Sequence, residues 1–212
     1  MLLKLGDGVT LYFSRHGETR ANVEKRFSGA KNTPLTDKGR AQAADIGETL
    51  LETLGEKPQI AFVCSPLQRA RTTMEIIRGK IGLPASGYAL DPRIQEINLG
   101  AWDQLTNDEA RALDPAAFDQ RMADKWNVRV PGGGENYADV AARAQSWIGS
   151  LTADTFAVSH GAFTRILRGL FMGLDVAQMS ALDEPQGVVF RVRGSEVMQL
   201  PSHALSNPSP MG

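Results

Sequence analysis

Three times along the chain a short β-favouring run gives way to a polar stretch and then to apolar residues at helical spacing. The three runs are Val9–Ser14, Ile60–Cys64 and Thr155–Ser159. The helical patterns behind them carry Ala43, Ile46, Leu50 and Leu54 within 36–54, then Leu67, Ala70, Met74 and Ile77, then Phe163, Leu167 and Leu170 within 162–172. Pro66 is expected at the first position of the second helix. Another amphipathic stretch, with Val140, Ala144, Trp147 and Leu151, precedes the third run. Parallel strands need crossovers, and right-handed crossovers put helices on both faces of a sheet. The alternation therefore predicts an α/β fold, a three-layer α/β/α sandwich with a mainly parallel sheet. Val188–Val192 and Glu196–Leu200, joined through Gly194-Ser195, read as a terminal hairpin that makes the sheet mixed.

At 212 residues the chain suits one domain, expected over 1–200, with 201–212, holding three prolines and three serines, as a loose tail. A helical insert is expected near 105–130. Asp114 would cap it, Pro115 would be its first helical residue, and Phe118, Met122 and Trp126 would form its stripe. Folded over the carboxyl edge of the strands, it would act as a lid.

Twenty-three Lys and Arg against 24 Asp and Glu leave a net charge of −1, so no global field draws the chain to nucleic acid or to an anionic membrane. Neither partner is expected. The single cysteine, Cys64, forbids an intrachain disulfide, and the first residues lack the apolar run of a secretory signal; both fit a cytoplasmic protein. Three histidines are too few for a multi-histidine metal site, so no metal is expected.

The residues just past the end of each run carry the chemistry. After Ser14 come Arg15-His16-Gly17-Glu18; after Cys64 come Ser65-Pro66-Leu67-Gln68-Arg69; after Ser159 come His160-Gly161. In open α/β sheets ligands sit beyond the carboxyl ends of the strands, where these residues converge. Arginine forks match phosphate oxygens, and a histidine can hold a proton or attack phosphorus. A glycine beside each histidine would let a ligand approach the backbone. Arg69 and Arg71 project about 200° apart on one helix, so only one can face such a site.

These segments, together with Thr19, Asn22, Ser28-Gly29, Pro34-Leu35-Thr36, Gly39, Ala70, Thr72-Thr73, Glu96, Gly100 and Trp102, resemble in order the histidine phosphatase superfamily. The resemblance runs from about Val9 to Val192. It implies that His16 is a nucleophile forming a phosphohistidine, that Arg15, Arg69 and a protonated His160 surround the phosphoryl oxygens, and that Asn22 adds a neutral donor. Glu96 would be the general acid, its carboxyl raised by burial beside Ile97 and Trp102. Ser28 and Gly29 would bind substrate, and Glu18 would stay ionised near Arg15. The function implied is hydrolysis of a small phosphorylated metabolite without cofactor or metal. A phosphoglycerate mutase and a phosphohistidine protein phosphatase are the alternatives, and a homodimer is left open.

Other residues read as scaffold. His203 lies in the tail. Arg111, Arg121, Lys125 and Arg129 either line the mouth to bind a carboxylate or second phosphate or, more simply, form a solvated helix face. The 131–135 loop either offers amides to substrate or caps the helix after it. Cys64 is expected buried and inert, and Trp102, Trp126 and Trp147 packed. Asp103-Gln104 departs from the acidic residue and glycine that often come after this tryptophan in the resembled family, and Asn32 stands where many members have aspartate.

Overall fold

A computed structural model describes residues 3–202; His203 and the rest of the tail lie outside the described residues. The elements run β1 (Thr10–Arg15), α1 (Arg20–Val23), α2 (Asp37–Leu54), β2 (Ala61–Cys64), α3 (Gln68–Lys80) and β3 (Ala89–Leu90). They continue with α4 (Asn107–Leu113), α5 (Pro115–Ala123), α6 (Tyr137–Ile148), β4 (Thr155–Ser159), α7 (Gly161–Met172), α8 (Val176–Ala181), β5 (Phe190–Arg193) and β6 (Glu196–Gln199). The strands form one sheet in the order β3-β2-β4-β1-β5-β6. The first four run parallel, and the terminal hairpin adds two antiparallel strands through β5 against β1. This is the mixed three-layer sandwich.

Alternation along β1 shows how the layers close. Leu11 and Phe13 pack with Val140, Trp147, Phe163 and Leu167 of α6 and α7. Tyr12 faces the other way, toward Ile46, Leu50, Met74 and Ile77 of α2 and α3. Ala43, Ile46 and Leu50 of α2, Ala70, Met74 and Ile77 of α3 and Phe163, Leu167 and Leu170 of α7 are buried as their spacing marks, and each core stabilises by roughly 2 kcal/mol per large apolar side chain removed from water. Thr36 caps α2 by accepting the Gly39 amide, as Asp114 caps α5 by accepting the Ala117 amide.

Two local expectations fail for physical reasons. α3 starts at Gln68 with Leu67 as its cap residue, so Pro66 lies one residue outside the helix. Ser65 Oγ accepts the Leu67 amide and Asn32 Oδ1 accepts the Gln68 amide, which holds residues 65–67 in a turn. In α5 the buried stripe is Phe118 and Arg121, while Met122 is 43% exposed and Trp126 lies beyond the helix. Phe118 packs on Trp102 at 5.4 Å and Arg121 on Tyr137 at 5.2 Å, which rolls the helix one position away from Met122. Gln104 adopts φ +77°, the left-handed region in which a glycine is unstrained, so the departure at this position carries a backbone cost. No helix among the described residues is long and apolar enough to cross a membrane.

Candidate active site

Strands β2, β4 and β1 are neighbours, and their carboxyl ends deliver Ser65, His160 and Arg15-His16 to one place. The His16 amide donates to Ser159 O at 2.9 Å, extending the β1–β4 ladder by one residue before the chain turns. His160 holds the cap position of α7 without capping it; its ring is turned to the site instead. The two rings lie 5.1 Å apart and both are buried.

The hydrogen-bond network assigns the tautomers. His16 Nδ1 donates to Gly17 O at 2.8 Å, which leaves its Nε2 with a lone pair. Arg69 Nε donates at 3.2 Å to that Nε2 and at 3.2 Å to His160 Nδ1, and His160 Nε2 donates to Ser65 Oγ at 2.7 Å. Both imidazoles are held well below their ordinary range by burial, with nearby arginines adding to the effect. Burial first, and Arg69 beside it second, disfavour a charged His160 in the absence of an anion.

Arg69 itself is 1% exposed and hangs the 28–31 loop. Its Nη2 donates to Ser28 O and Gly29 O, each at 2.9 Å, and its Nη1 to Lys31 O at 3.1 Å. Arg71 reaches out to Tyr88, so the choice between the two arginines agrees with the helix geometry. A cavity of about 520 Å³ opens over His16 and is also lined by Arg15, Asn22, Ser28 and Glu96. Asn22 Oδ1 accepts from Thr19 and Gln186, which directs its amide nitrogen. Gly29 does not line the cavity. Its carbonyl holds Arg69 and its amide donates to Asp103, a placement behind the wall and not against substrate. Arg69 and His160 likewise lie beneath the lining, under His16.

Glu96 is suspended by three bonds to its own segment. Ser159 Oγ donates to Ile94 O, and Arg143 Nη1 donates to Arg93 O and Gln95 O, all at 2.7 Å. Its carboxyl is pushed up by burial first and by the Glu184 carboxylate second, against the pull of Arg69. Glu184 in turn lies between Arg15 at 3.6 Å and Arg165 at 3.2 Å. A Glu184→Gln change removes a negative charge from beside Glu96 and must lower its pKa. A general acid works while protonated, so the alkaline limb of the pH–kcat profile is expected to move to lower pH. An unmoved limb would show that Glu96 is not the titrating acid.

Several roles differ from expectation. Glu18 is ionised, but through Lys38 at 2.9 Å and Thr36, not Arg15, whose carboxylate partner is Glu184. The glycines beside the histidines serve close packing: a Cβ at Gly17 would strike the Gly39 backbone, and one at Gly161 would strike the Glu184 carboxylate. The 131–135 loop bolts to the segment after Glu96, with Ala101 donating to Pro131 O at 2.8 Å and Glu135 to Asn98 O at 2.9 Å. It does not offer amides to the cavity, and Asn136 caps α6 with its own side chain. Cys64 is fully buried and its thiol is pushed far up by that burial.

The cavity also holds Glu184, Gln186, Tyr137 and Arg165, none of them among the expected site residues; of the four basic residues left between the mouth and a solvated face, Arg121 and Lys125 line it and Arg111 and Arg129 do not. Arg165 lies five residues past His160 on the helix that opens at the site, a signal the sequence carries. Glu184 and Gln186 sit in irregular chain between α8 and β5, where no periodicity marks them. Among the described residues no group of three or more His, Cys, Asp or Glu side chains could hold a metal ion.

Known proteins share this arrangement of sequence and fold. Residues 11–196 match the profile of the histidine phosphatase superfamily, branch 1. Glucosyl-3-phosphoglycerate phosphatase of Mycobacterium tuberculosis is 32% identical over 186 residues, covering 81% of this chain and 79% of that protein. The adenosylcobalamin/alpha-ribazole phosphatase of Salmonella typhimurium is 29% identical over 184 residues, covering 84% and 87%. Among solved structures, a mycobacterial glucosyl-3-phosphoglycerate phosphatase in complex with VO3 aligns with a TM-score of 0.74 at 27% identity, covering 92% of this chain and 98% of that one.

Proposed function

The chain belongs to the histidine phosphatase superfamily, and on that premise we propose that it releases phosphate from a small phosphorylated metabolite through a phosphohistidine on His16, without a metal. As a phosphatase related to enzymes of small metabolites, it hydrolyses phosphate monoesters. The observation that carries the covalent step is the His16 tautomer: Nδ1 is tied to Gly17 O, so Nε2 keeps its lone pair at neutral pH with no metal to activate it.

In this reading Nε2 attacks phosphorus, the ester P–O bond breaks, and the Glu96 carboxyl gives its proton to the leaving oxygen. Glu96, now a carboxylate, takes a proton from water, which attacks phosphorus. The P–N bond then breaks, releasing phosphate and restoring His16. Phosphoryl transfer asks mainly for positioning and charge, which Arg15 supplies at the cavity and Arg69 from beneath it. A phosphate dianion beside the buried His160 favours that ring's protonation, so its charge arrives with the substrate. Asn22 and Gln186 add neutral donors, and Ser28 bounds the pocket. The 105–130 insert closes one side as a lid, within one domain over 1–200. The single cysteine supports a cytoplasmic setting.

The test is a panel of phosphorylated metabolites with chelator present, and acid and base treatment of quenched enzyme. Phosphate release and an acid-labile, base-stable phosphoryl adduct are expected. Isomerisation of 3-phosphoglycerate primed by the bisphosphate, without net phosphate release, would replace hydrolysis with mutase action. A strict metal requirement would overturn the metal-free step.

A further inference from the structure

We infer that Arg168 is a positioning residue of this site: through Asp183 it fixes the 183–186 segment, and with it the Glu184 carboxylate beside Glu96 and the Gln186 amide on Asn22. Its part in turnover rests on the phosphatase reading, whereas its hold on the segment does not.

α7 presents one stripe to that segment. Gly161, Arg165 and Arg168 are spaced four and three residues apart and so lie on one face of the helix. All three meet the chain ahead of β5. A Cβ at Gly161 would strike the Glu184 carboxylate, Arg165 pairs with Glu184 at 3.2 Å, and Arg168 pairs with Asp183. Arg168 Nη1 donates to Asp183 Oδ1 at 2.9 Å and its Nη2 donates to Asp183 O. Arg15 Nη1 donates to the next carbonyl, Glu184 O, at 2.7 Å. Two arginines from different elements thus hold successive carbonyls, one on each side of the Glu184 Cα, and the carboxylate is left aimed at Arg15 and Arg165.

The clamp is anchored in the core. The Arg168 guanidinium lies over the Phe190 ring at 4.6 Å, and Phe190 stacks on Phe13 of β1 at 5.4 Å. Arg168 is buried, while the Asp183 side chain is 72% exposed. An ion pair with one partner in water adds little to stability, and a methionine at position 168 would be buried at lower cost than a guanidinium. What the guanidinium adds is position. Its planar fork takes a side-chain oxygen and a main-chain oxygen of one residue, a grip that a single point donor lacks.

The grip reaches the chemistry by two routes. Glu96 is faced by Glu184 from the segment, Arg69 from α3, Arg15 from the end of β1 and Arg165 from α7. Of these only Glu184 is an anion, and it adds to burial in pushing the Glu96 carboxyl up. Gln186, two residues further on, donates to His16 O at 3.2 Å and to Asn22 Oδ1 at 3.0 Å, which orients the Asn22 amide nitrogen. A segment released at Asp183 carries both groups away from their partners.

The test uses the full chain with Arg168→Met, which keeps an apolar stem on Phe190 and leaves Asp183 to water. Glu96 is titrated by isotope-edited NMR of the glutamate carboxyls, its signal assigned by its loss in Glu96→Gln. The midpoint is expected to move down by roughly half a pH unit or more, in the same direction as in Glu184→Gln. In the double variant the two shifts should not add, because both take the same carboxylate away from Glu96. The alkaline limb of phosphate release from glycerol 3-phosphate should follow the titration, with KM raised several-fold as Asn22 loses its partner. An unmoved Glu96 titration in folded Arg168→Met, or shifts that add in full, overturns the clamp. Asp183→Ala, which removes an exposed side chain, should shift the titration the same way and decides the question should Arg168→Met fail to fold. A shifted titration with no phosphate release by the unmodified enzyme would sink the phosphatase reading and leave the clamp standing.

Discussion

Replacing His16 by alanine is expected to lower phosphate release by roughly 10⁴-fold or more and to abolish the acid-labile adduct, while the protein stays folded. No other side chain inherits the task. His160 is 5.1 Å away, but unlike His16 it does not line the cavity, and its Nε2 is spent on Ser65 Oγ. The fold survives because burial and the arginines beside it disfavour a charged His16, so its removal leaves no buried charge without a partner. The substitution also has a signature in acid. Both imidazoles are depressed when folded, so stability present above about pH 6.5 is lost as pH falls, when the unfolded chain takes up protons that the folded one refuses. Each such histidine contributes up to about 1.4 kcal/mol per pH unit to that slope. Denaturant titrations at several pH values should show a shallower acid slope in His16→Ala. Residual turnover within tenfold of the unmodified enzyme would remove His16 from the nucleophile's role.

How far the sequence predicts this site depends on what kind of order holds each residue. Arg15 ends a strand and His16, Ser65 and His160 come directly after strands, and those strands show in the sequence as short β-favouring runs, so the sheet alone brings them together. Arg69 is set by helix geometry, as the second residue of α3. Glu96 sits in chain without regular structure and was legible only through family likeness; what positions it is Arg143 of α6, some fifty residues on. Glu184 and Gln186 meet the site through ion pairs and amide contacts across about 170 residues, and nothing local marks such contacts. The histidine glycines were visible but their reason was not, because close approach between Gly17 and Gly39 is a fact of helix placement. Arg121 shows the limit from the other side. Polarity argued for water, and a single cation–π contact with Tyr137 decided for the interior.

Replacing Arg69 by leucine is expected to damage stability and catalysis together, which separates it from His16→Ala. The side chain supplies four hydrogen-bonding directions at once: two to Ser28 O and Gly29 O, one to Lys31 O, and Nε shared by the two imidazoles. Leucine fills the volume but leaves three carbonyls and two ring nitrogens without donors. At about 1–3 kcal/mol for each buried group left unmet, and with partial relaxation of the loop, the loss should be about 3–5 kcal/mol. That is a large share of the roughly 5–15 kcal/mol typical of a domain. Asp103 still holds the Gly29 and Lys31 amides at 2.8 and 3.2 Å, so the loop is expected to shift toward Asp103 and drag Ser28 out of the cavity wall. Arg69→Lys keeps the charge but offers one point donor where a planar fork spans three carbonyls, so it should recover little activity. Chemical denaturation and steady-state turnover on the same two variants decide the matter. A stability change under about 1 kcal/mol in Arg69→Leu would mean that the 28–31 loop stands without the arginine, and full turnover in Arg69→Lys would mean that charge alone, not the fork, serves the phosphoryl group.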